Sequence, residues 1–363
     1  MRDFDAAPLF EAPKLRMMDR VSQFALAAAR QALQQAGIGN GTIDGGFDRD
    51  RAGVCIGTGM GGAETVDESY HTLYGQQSDR IKPFSILLGM NNAPAAWIGL
   101  EYGLQGPNLT YSTACSSSAV AIGEAAMRIR AGAADLMLAG GTEALLAPGP
   151  MKAWEALRTL AVEDASNPSA SCKPFAKNRS GMVLGEGAAV LVLEEWEHAL
   201  ARGAAPLAEV VGYGLTTDTG HMTRPSIDGQ ARAMRLALSS ARMAPADIAY
   251  INAHGTGTQA NDPVETAAIR QVFGSHAERL AVSSTKSMHA HLLGAAGALE
   301  FAIALLAMRR GVLPPTMHLD QPDPECDLDY VPNAARHGCT LGAVMSNSFA
   351  FGGTNAVLVA SAV

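Results

Sequence analysis

Apolar residues recur along this chain with two periods. Between residues 19 and 36, Val21, Phe24, Ala25, Ala28, Leu33 and Ala36 fall on one stripe that stops at Gly37, so the spacing predicts an amphipathic helix. Residues 51–57 (RAGVCIG) form a short apolar run ending in glycine, which reads as a buried strand feeding a loop. The same reasoning gives a strand at 108–112, a helix at 116–131 and a strand at 135–141. Strands alternating with helices predict an α/β protein with mostly parallel sheets.

The plan occurs twice. STAC (112–115) leads into the Ala-rich run AVAIGEAAMRIRAGAA, and STK (284–286), shortly before His291, leads into GALEFAIALLAMRRG. Each short β segment turns into a helix that ends in Arg and Gly, so two halves on one plan are expected, with a polar residue at the head of each buried helix. The divide falls near ARGAAP (201–206), giving halves of 1–203 and 204–363 without a low-complexity linker. The longest apolar stretch, 292–308, is cut by Glu300 and rich in small residues; it reads as a buried helix and not a membrane span. The first sixteen residues carry no apolar core of the secretory type, so no signal peptide is expected.

Composition narrows the function classes. With 363 residues, 48% of them hydrophobic and 17% charged, the chain can bury a large core, which excludes intrinsic disorder. Its 27 basic and 35 acidic side chains leave a net charge of −8, a poor basis for binding nucleic-acid phosphates. The five cysteines (55, 115, 172, 326 and 339) are odd in number, dispersed and without a CxxC pair. Neither a disulfide framework nor a zinc site is expected, and a reducing cytoplasm is the natural setting.

Several positions carry chemistry. Gly57-Thr-Gly59-Met-Gly61-Gly62 satisfies GxGxxG after a strand, but no ribose-binding acid closes a following strand, so a turn packed against another loop is the better reading. Cys115 stands at a strand-to-helix junction among small residues. There the helix N-terminus favours thiolate and its N–H groups suit an oxyanion, although a buried structural cysteine fits the same residues. His254 and His291 lie in glycine-rich stretches, His254 just after an apolar run, and with Cys115 they make a candidate constellation. His289 neighbours His291, but only one of the two can point inward. Near the C-terminus, NSFAFGGTN (347–355) reads as a glycine turn between strands, carrying Phe349 and Phe351 either as core or as a lid over a thiol.

Five segments together resemble the elongating β-ketoacyl-acyl-carrier-protein synthases, condensing enzymes of the thiolase superfamily. They are GPNLTYSTACSSS (106–118), KPFAKNRSGMVLGEGA (173–188), INAHGTGTQANDPVE (251–265), VSSTKSMHAHLLGAAGALE (282–300) and NSFAFGGTNA (347–356). The resemblance runs from about Lys14 to the C-terminus. It implies a thiolase-like α/β fold, a duplicated βαβαβαββ unit in five layers α-β-α-β-α, and a dimer. It also implies 3-oxoacyl-[acyl-carrier-protein] synthase activity, an acyltransferase reaction with no cofactor and no metal. Cys115 would take an acyl chain from a carrier protein; malonyl-carrier protein would lose CO₂ and its carbanion would attack the acyl-Cys115 carbonyl, in fatty acid or polyketide-type biosynthesis. His254 and His291 would steady the enolate, Lys286 would tune His291, Glu265 would organise the His254 turn, and Phe351 would gate entry to Cys115, with Phe349 in a supporting place. N–H groups of Cys115 and Phe351 would bind the acyl oxyanion.

Residue types discriminate within the superfamily. A thiolase would carry a second reactive cysteine where this chain has FAFGG, and an initiating synthase would pair Cys with His and Asn. A chain-length-factor subunit would lack the nucleophile. The chain also departs from the resemblance: a first strand of VVVTG type, placed inside the first sheet of the family, is absent here, and Ala350 stands where Gly is frequent. The alternative that this motivates is a non-catalytic or truncated subunit of a heterodimer. Met90 is expected near the floor of an acyl tunnel. Acidic carrier proteins would need basic docking residues, for which Arg16, Arg128 and Arg130, with Lys14, are candidates against the reading of a solvated helix face.

Overall fold

The computed structural model describes residues 1, 3–39 and 47–363. Asp19 caps helix α1 (Arg20–Gln35) by accepting the Val21 N–H, and the expected stripe of Val21, Phe24, Ala25 and Leu33 is buried. The first half continues through β1 (Ala52–Gly57), α2 (Ala93–Tyr102), β2 (Asn108–Tyr111), α3 (Ser117–Arg130), β3 (Leu136–Glu143) and β4 (Gly187–Glu194). Its sheet has the order β2-β1-β3-β4, with β1 parallel to both neighbours and β4 antiparallel to β3.

The second half repeats this with β5 (Glu209–Thr217), α4 (Ile227–Ala241), β6 (Tyr250–Asn252), α5 (Asn261–Phe273), β7 (Ala281–Ser283), α6 (Ala296–Arg310), β8 (Ala343–Phe349) and β9 (Thr354–Ser361). The sheet order is β5-β9-β8-β6-β7; β8, β6 and β7 run parallel, and β9 is antiparallel to both β8 and β5.

Alternation along the strands sorts side chains between layers. Val54, Ile56, Leu136 and Leu138 pack outward on Ala25, Leu33 and Ile98 of α1 and α2. Cys55, Met137 and Ala139 point the other way, into a core shared by α3, α6 and the inner face of the second sheet at Val344 and Leu358. Ile251, Val282, Met345 and Val357 cover the far side with Met234, Leu238 and Ile269 of α4 and α5. The five layers expected from the resemblance, α-β-α-β-α, are present. The central helices approach closely because their contact is built from small residues: a Cβ on Gly297 would lie 3.0 Å from that of Ala119, and Ala298 N–H donates to Ser118 Oγ at 2.9 Å.

The two sheets differ at one edge. β5 covers β9, whose residues 355–360 are all buried, whereas among the described residues no strand pairs with the outer side of β4, and its residues 188–194 are half-buried. By the internal repeat, the strand equivalent to β5 belongs at this edge. That corrects the expectation of a gap inside the sheet, because only β4's outward-facing backbone groups are affected. No described helix is long and apolar enough to cross a membrane.

Candidate active site

Cys115 sits in a 3₁₀ turn (Ala114–Ser116) that runs directly into α3, at the C-terminal end of β2. Ala114 holds φ +51°, a left-handed conformation costly for a residue with a Cβ, and the turn is fixed by Ser117 Oγ donating to Ala114 O at 2.6 Å. In the second half the matching 3₁₀ turn is Leu293–Ala295 ahead of α6, so the residue equivalent to Cys115 is Gly294. The echo therefore holds for the helices. Its polar residues are displaced, because a short helix, Lys286–His289, is interposed after β7.

The thiol of Cys115 and ring nitrogens of His254 and His291 all lie within 4.8 Å of one another, and all three residues are buried. They line one cavity of about 810 Å³, open mouth included, together with Thr256, Thr258, Phe349 and Phe351. The two imidazoles meet edge to face, 5.5 Å between centroids, and Phe349 stands 5.9 Å from His254.

Hydrogen bonds set both tautomers. Leu293 N–H donates to His291 Nδ1 at 3.2 Å, which leaves the hydrogen on Nε2; that nitrogen is buried and has no partner. Lys286 Nζ lies 3.5 Å from His254 Nδ1 and donates to the His254 carbonyl at 2.6 Å, so this ring also turns an Nε2–H to the cavity. Burial, reinforced by the Lys286 charge, holds both imidazoles well below the usual histidine range and hence neutral. Two neutral N–H donors aimed at one point suit a developing oxyanion. The thiol and imidazoles are also a donor set of metal-binding type, but with both Nδ1 atoms facing donors, the Nε2 lone pairs are unavailable. His289 points away, bonded to Thr285 Oγ1 at 3.0 Å.

Glu265 fixes the His254 turn. Its carboxylate accepts the N–H groups of His254 and Gly255, each at 2.8 Å, and the Asn347 side-chain amide at 3.2 Å. Lys286 is fully buried and ion-paired with the equally buried Glu300. The expectation of a resting thiolate is overturned: burial pushes the Cys115 thiol up to about 12, and neither Lys286 nor the Phe351 N–H directed at the sulfur offsets it. The N-terminus of α3 does not outweigh the loss of water.

The C-terminal turn joins β8 to β9 as expected, with Gly352 and Gly353 at φ +85° and +82°. Phe351 stacks on Trp154, 6.2 Å between centroids.

Other expected positions do not reach this cavity. Met90 is 38% exposed, in a surface stretch with Phe84, Ile86 and Leu87, and is not among the lining residues. Arg128 is bonded to Tyr111 and Arg130 donates to Val210 O at 2.5 Å, so neither is an uncommitted cation; Lys14 is paired with Glu101, whereas Arg16 is exposed.

Sequence reasoning missed Glu143. Fully buried at the end of β3, it accepts N–H bonds from Gly59 (2.7 Å), Met60 (3.0 Å) and Gly294 (2.9 Å). The GxGxxG turn thus spends its N–H groups on a carboxylate of its own chain and is tied to the turn that follows His291. Burial pushes this carboxyl up to about 7. Its only sequence signal was an acid closing an otherwise apolar strand.

Comparison with known proteins shows the family. The N-terminal domain profile of the beta-ketoacyl synthases matches residues 1–199 and the C-terminal domain profile residues 207–320. The chain belongs to the β-ketoacyl synthase family. Among curated relatives, nodulation protein E of Rhizobium leguminosarum bv. trifolii is 46% identical over 98% of this chain and 86% of its own length. The 3-oxoacyl-[acyl-carrier-protein] synthase 2 of Coxiella burnetii is 44% identical over 100% of this chain and 87% of its own. A β-ketoacyl synthase structure from Burkholderia phymatum STM815 superposes with a TM-score of 0.91 at 39% identity, covering 99% of this chain and 86% of that one. A structure of a type II PKS acyl-carrier protein in complex with its ketosynthase bound to the hexaketide gives 0.90 at 34% identity, covering 96% and 86%.

Proposed function

We propose that this chain is a decarboxylating condensing enzyme that extends an acyl thioester held on Cys115 with two carbons from malonyl-acyl carrier protein. One observation carries the reading: ring nitrogens of two neutral imidazoles converge with a buried thiol in a single cavity. In the first step Cys115 Sγ attacks the acyl thioester carbonyl. The oxyanion is met by the N–H groups of Cys115 and Phe351, the bond to the carrier sulfur breaks, and the thiol proton leaves with the carrier thiol. Because the resting thiol is neutral, attack and proton loss are coupled.

In the second step the malonyl carboxylate departs as CO₂. The enolate oxygen left behind accepts Nε2–H bonds from His254 and His291, and its carbanion attacks the acyl-Cys115 carbonyl. The tetrahedral adduct collapses with cleavage of its bond to Sγ, the 3-oxoacyl thioester leaves on its carrier, and the Cys115 thiolate takes one proton from solvent. Lys286 and Glu265 act by positioning His254, while Phe351 and Phe349 border the entrance. A fatty-acid or polyketide-type pathway fits this chemistry. The exposed apolar stretch around Phe84, Ile86 and Met90 is suited to burial against a second copy or a related subunit, which would place Met90 at the acyl end of the tunnel. Five free cysteines accord with a reducing cytoplasm.

The test separates the two steps. Incubation with an acyl-carrier protein should add one acyl mass to the Cys115 peptide. His291→Ala should lower malonyl decarboxylation by about 10²-fold or more while leaving Cys115 acylation largely intact. Parallel loss of both activities would refute the division of labour.

A further inference from the structure

The mouth of the cavity carries a charge that the reaction at its floor does not use. Met222, Thr223, Arg224 and Pro225 line the same cavity as Cys115, in the loop between β5 and α4. Arg224 is exposed and has neither an ion pair nor a hydrogen bond among the described residues. It is the one Lys or Arg among the lining residues. Asp218, the one carboxylate there, is already engaged: Asn355 Nδ2 donates to it at 3.0 Å, and the Ser226 N–H and the Arg232 charge act on it. The loop itself is held in place, since Gly352 N–H of the Phe351 turn donates to Met222 O at 2.8 Å. An uncommitted guanidinium therefore stands on an anchored loop at the entrance to the nucleophile.

We propose that Arg224 binds the phosphate of the pantetheine arm that delivers the thioester, and so selects phosphate-bearing donors over truncated ones. This rests on the condensing-enzyme reading for the identity of the arm. The arm has its sulfur at one end and a phosphate ester at the other. When the sulfur reaches Cys115 at the floor, the phosphate remains at the mouth. Guanidinium recognises phosphate through paired charge-assisted N–H bonds. Carrier protein and coenzyme A present the same pantetheine phosphate, so the contact is shared by both sources.

The test measures binding without turnover. Phosphopantetheine and dephosphorylated pantetheine are titrated separately as protectants of Cys115 against iodoacetamide, in the wild type and in Arg224→Ala. The wild type should bind the phosphorylated arm about tenfold more tightly than the dephosphorylated one; Arg224→Ala should lose that preference, and Arg224→Lys should keep part of it. Alkylation of the unliganded variant at the wild-type rate shows that its site is intact. Equal protection by the two arms in the wild type, or an unchanged preference in Arg224→Ala, overturns the proposal. Acyl-carrier protein and acyl-coenzyme A are then compared as donors: a loss with both fits the shared phosphate, and a loss with the carrier alone overturns it in favour of a protein contact. If no malonyl condensation is found while the phosphate preference persists, the condensing reading fails and the Arg224 contact stands.

Discussion

Lys286→Met separates the electrostatic role of this lysine from its structural one. Lys286 and Glu300 are both fully buried, and their ion pair lies between the His254 carbonyl and α6. Removing the ammonium strands the Glu300 carboxyl away from water, which costs about 3–5 kcal/mol for a buried pair. For a chain of this size the unfolding temperature should drop by roughly 4–7 °C. Lys286→Met/Glu300→Met removes both charges, and apolar replacement of a whole buried pair is close to neutral. The remaining deficit is the His254 carbonyl left without its donor, about 1–3 kcal/mol.

Activity should not follow stability. Without Lys286, His254 Nδ1 loses its donor, and the ring is free to take the tautomer that presents a lone pair to the enolate. Decarboxylation should therefore fall by roughly 10²-fold in both the single and the double variant. The residual activity should also change with pH. Lys286 helps to hold both imidazoles below their ordinary range, so its removal raises their pKa values, and the acidic limb of the profile moves to higher pH. The assay is CO₂ release from malonyl-carrier protein against pH, beside thermal unfolding of each variant. A double variant that regains stability and also regains decarboxylation would refute the reasoning.

Further outcomes follow from the same contacts. Glu143, raised to about 7, binds its proton more tightly folded than unfolded; its contribution is fully present below the unfolded value and is lost as pH rises through about 7, a span worth about 3 kcal/mol. Denaturant midpoints between pH 5 and 8 should record this slope, and Glu143→Gln should flatten it. Gly141→Ala would place a Cβ 2.4 Å from that of Ser118 and 2.9 Å from the Gly57 and Gly294 carbonyls, so a loss of about 3 kcal/mol or insolubility is expected. Gly342→Ala, with nothing within 4 Å, should stay within about 0.5 kcal/mol of the wild type by the same unfolding measurement. Glu265→Gln turns an amide NH₂ toward N–H donors, so decarboxylation should fall by tenfold or more while Cys115 acylation is less affected; equal loss in the two assays would refute a role specific to the His254 turn.

Local signals in the chain determined much of this protein. The apolar stripe on α1, the short glycine-ended strands and the repeated strand-to-helix plan specified an α/β protein of two like halves, because 3.6- and 2-residue periods state which faces must be buried; the five layers followed only from the family resemblance. Cys115, His254 and His291 were also legible, since each lies in a segment of small residues; Cys115 and His254 follow strand ends, whereas His291 follows the short helix after β7. Tertiary structure alone decided their chemical states. Burial made Cys115 a thiol and both imidazoles neutral, and desolvation is a property of the assembled core, not of neighbouring residues. It also decided the long-range partners: Glu143 reaches Gly294, and Lys286 meets Glu300, through contacts that no spacing in the sequence encodes.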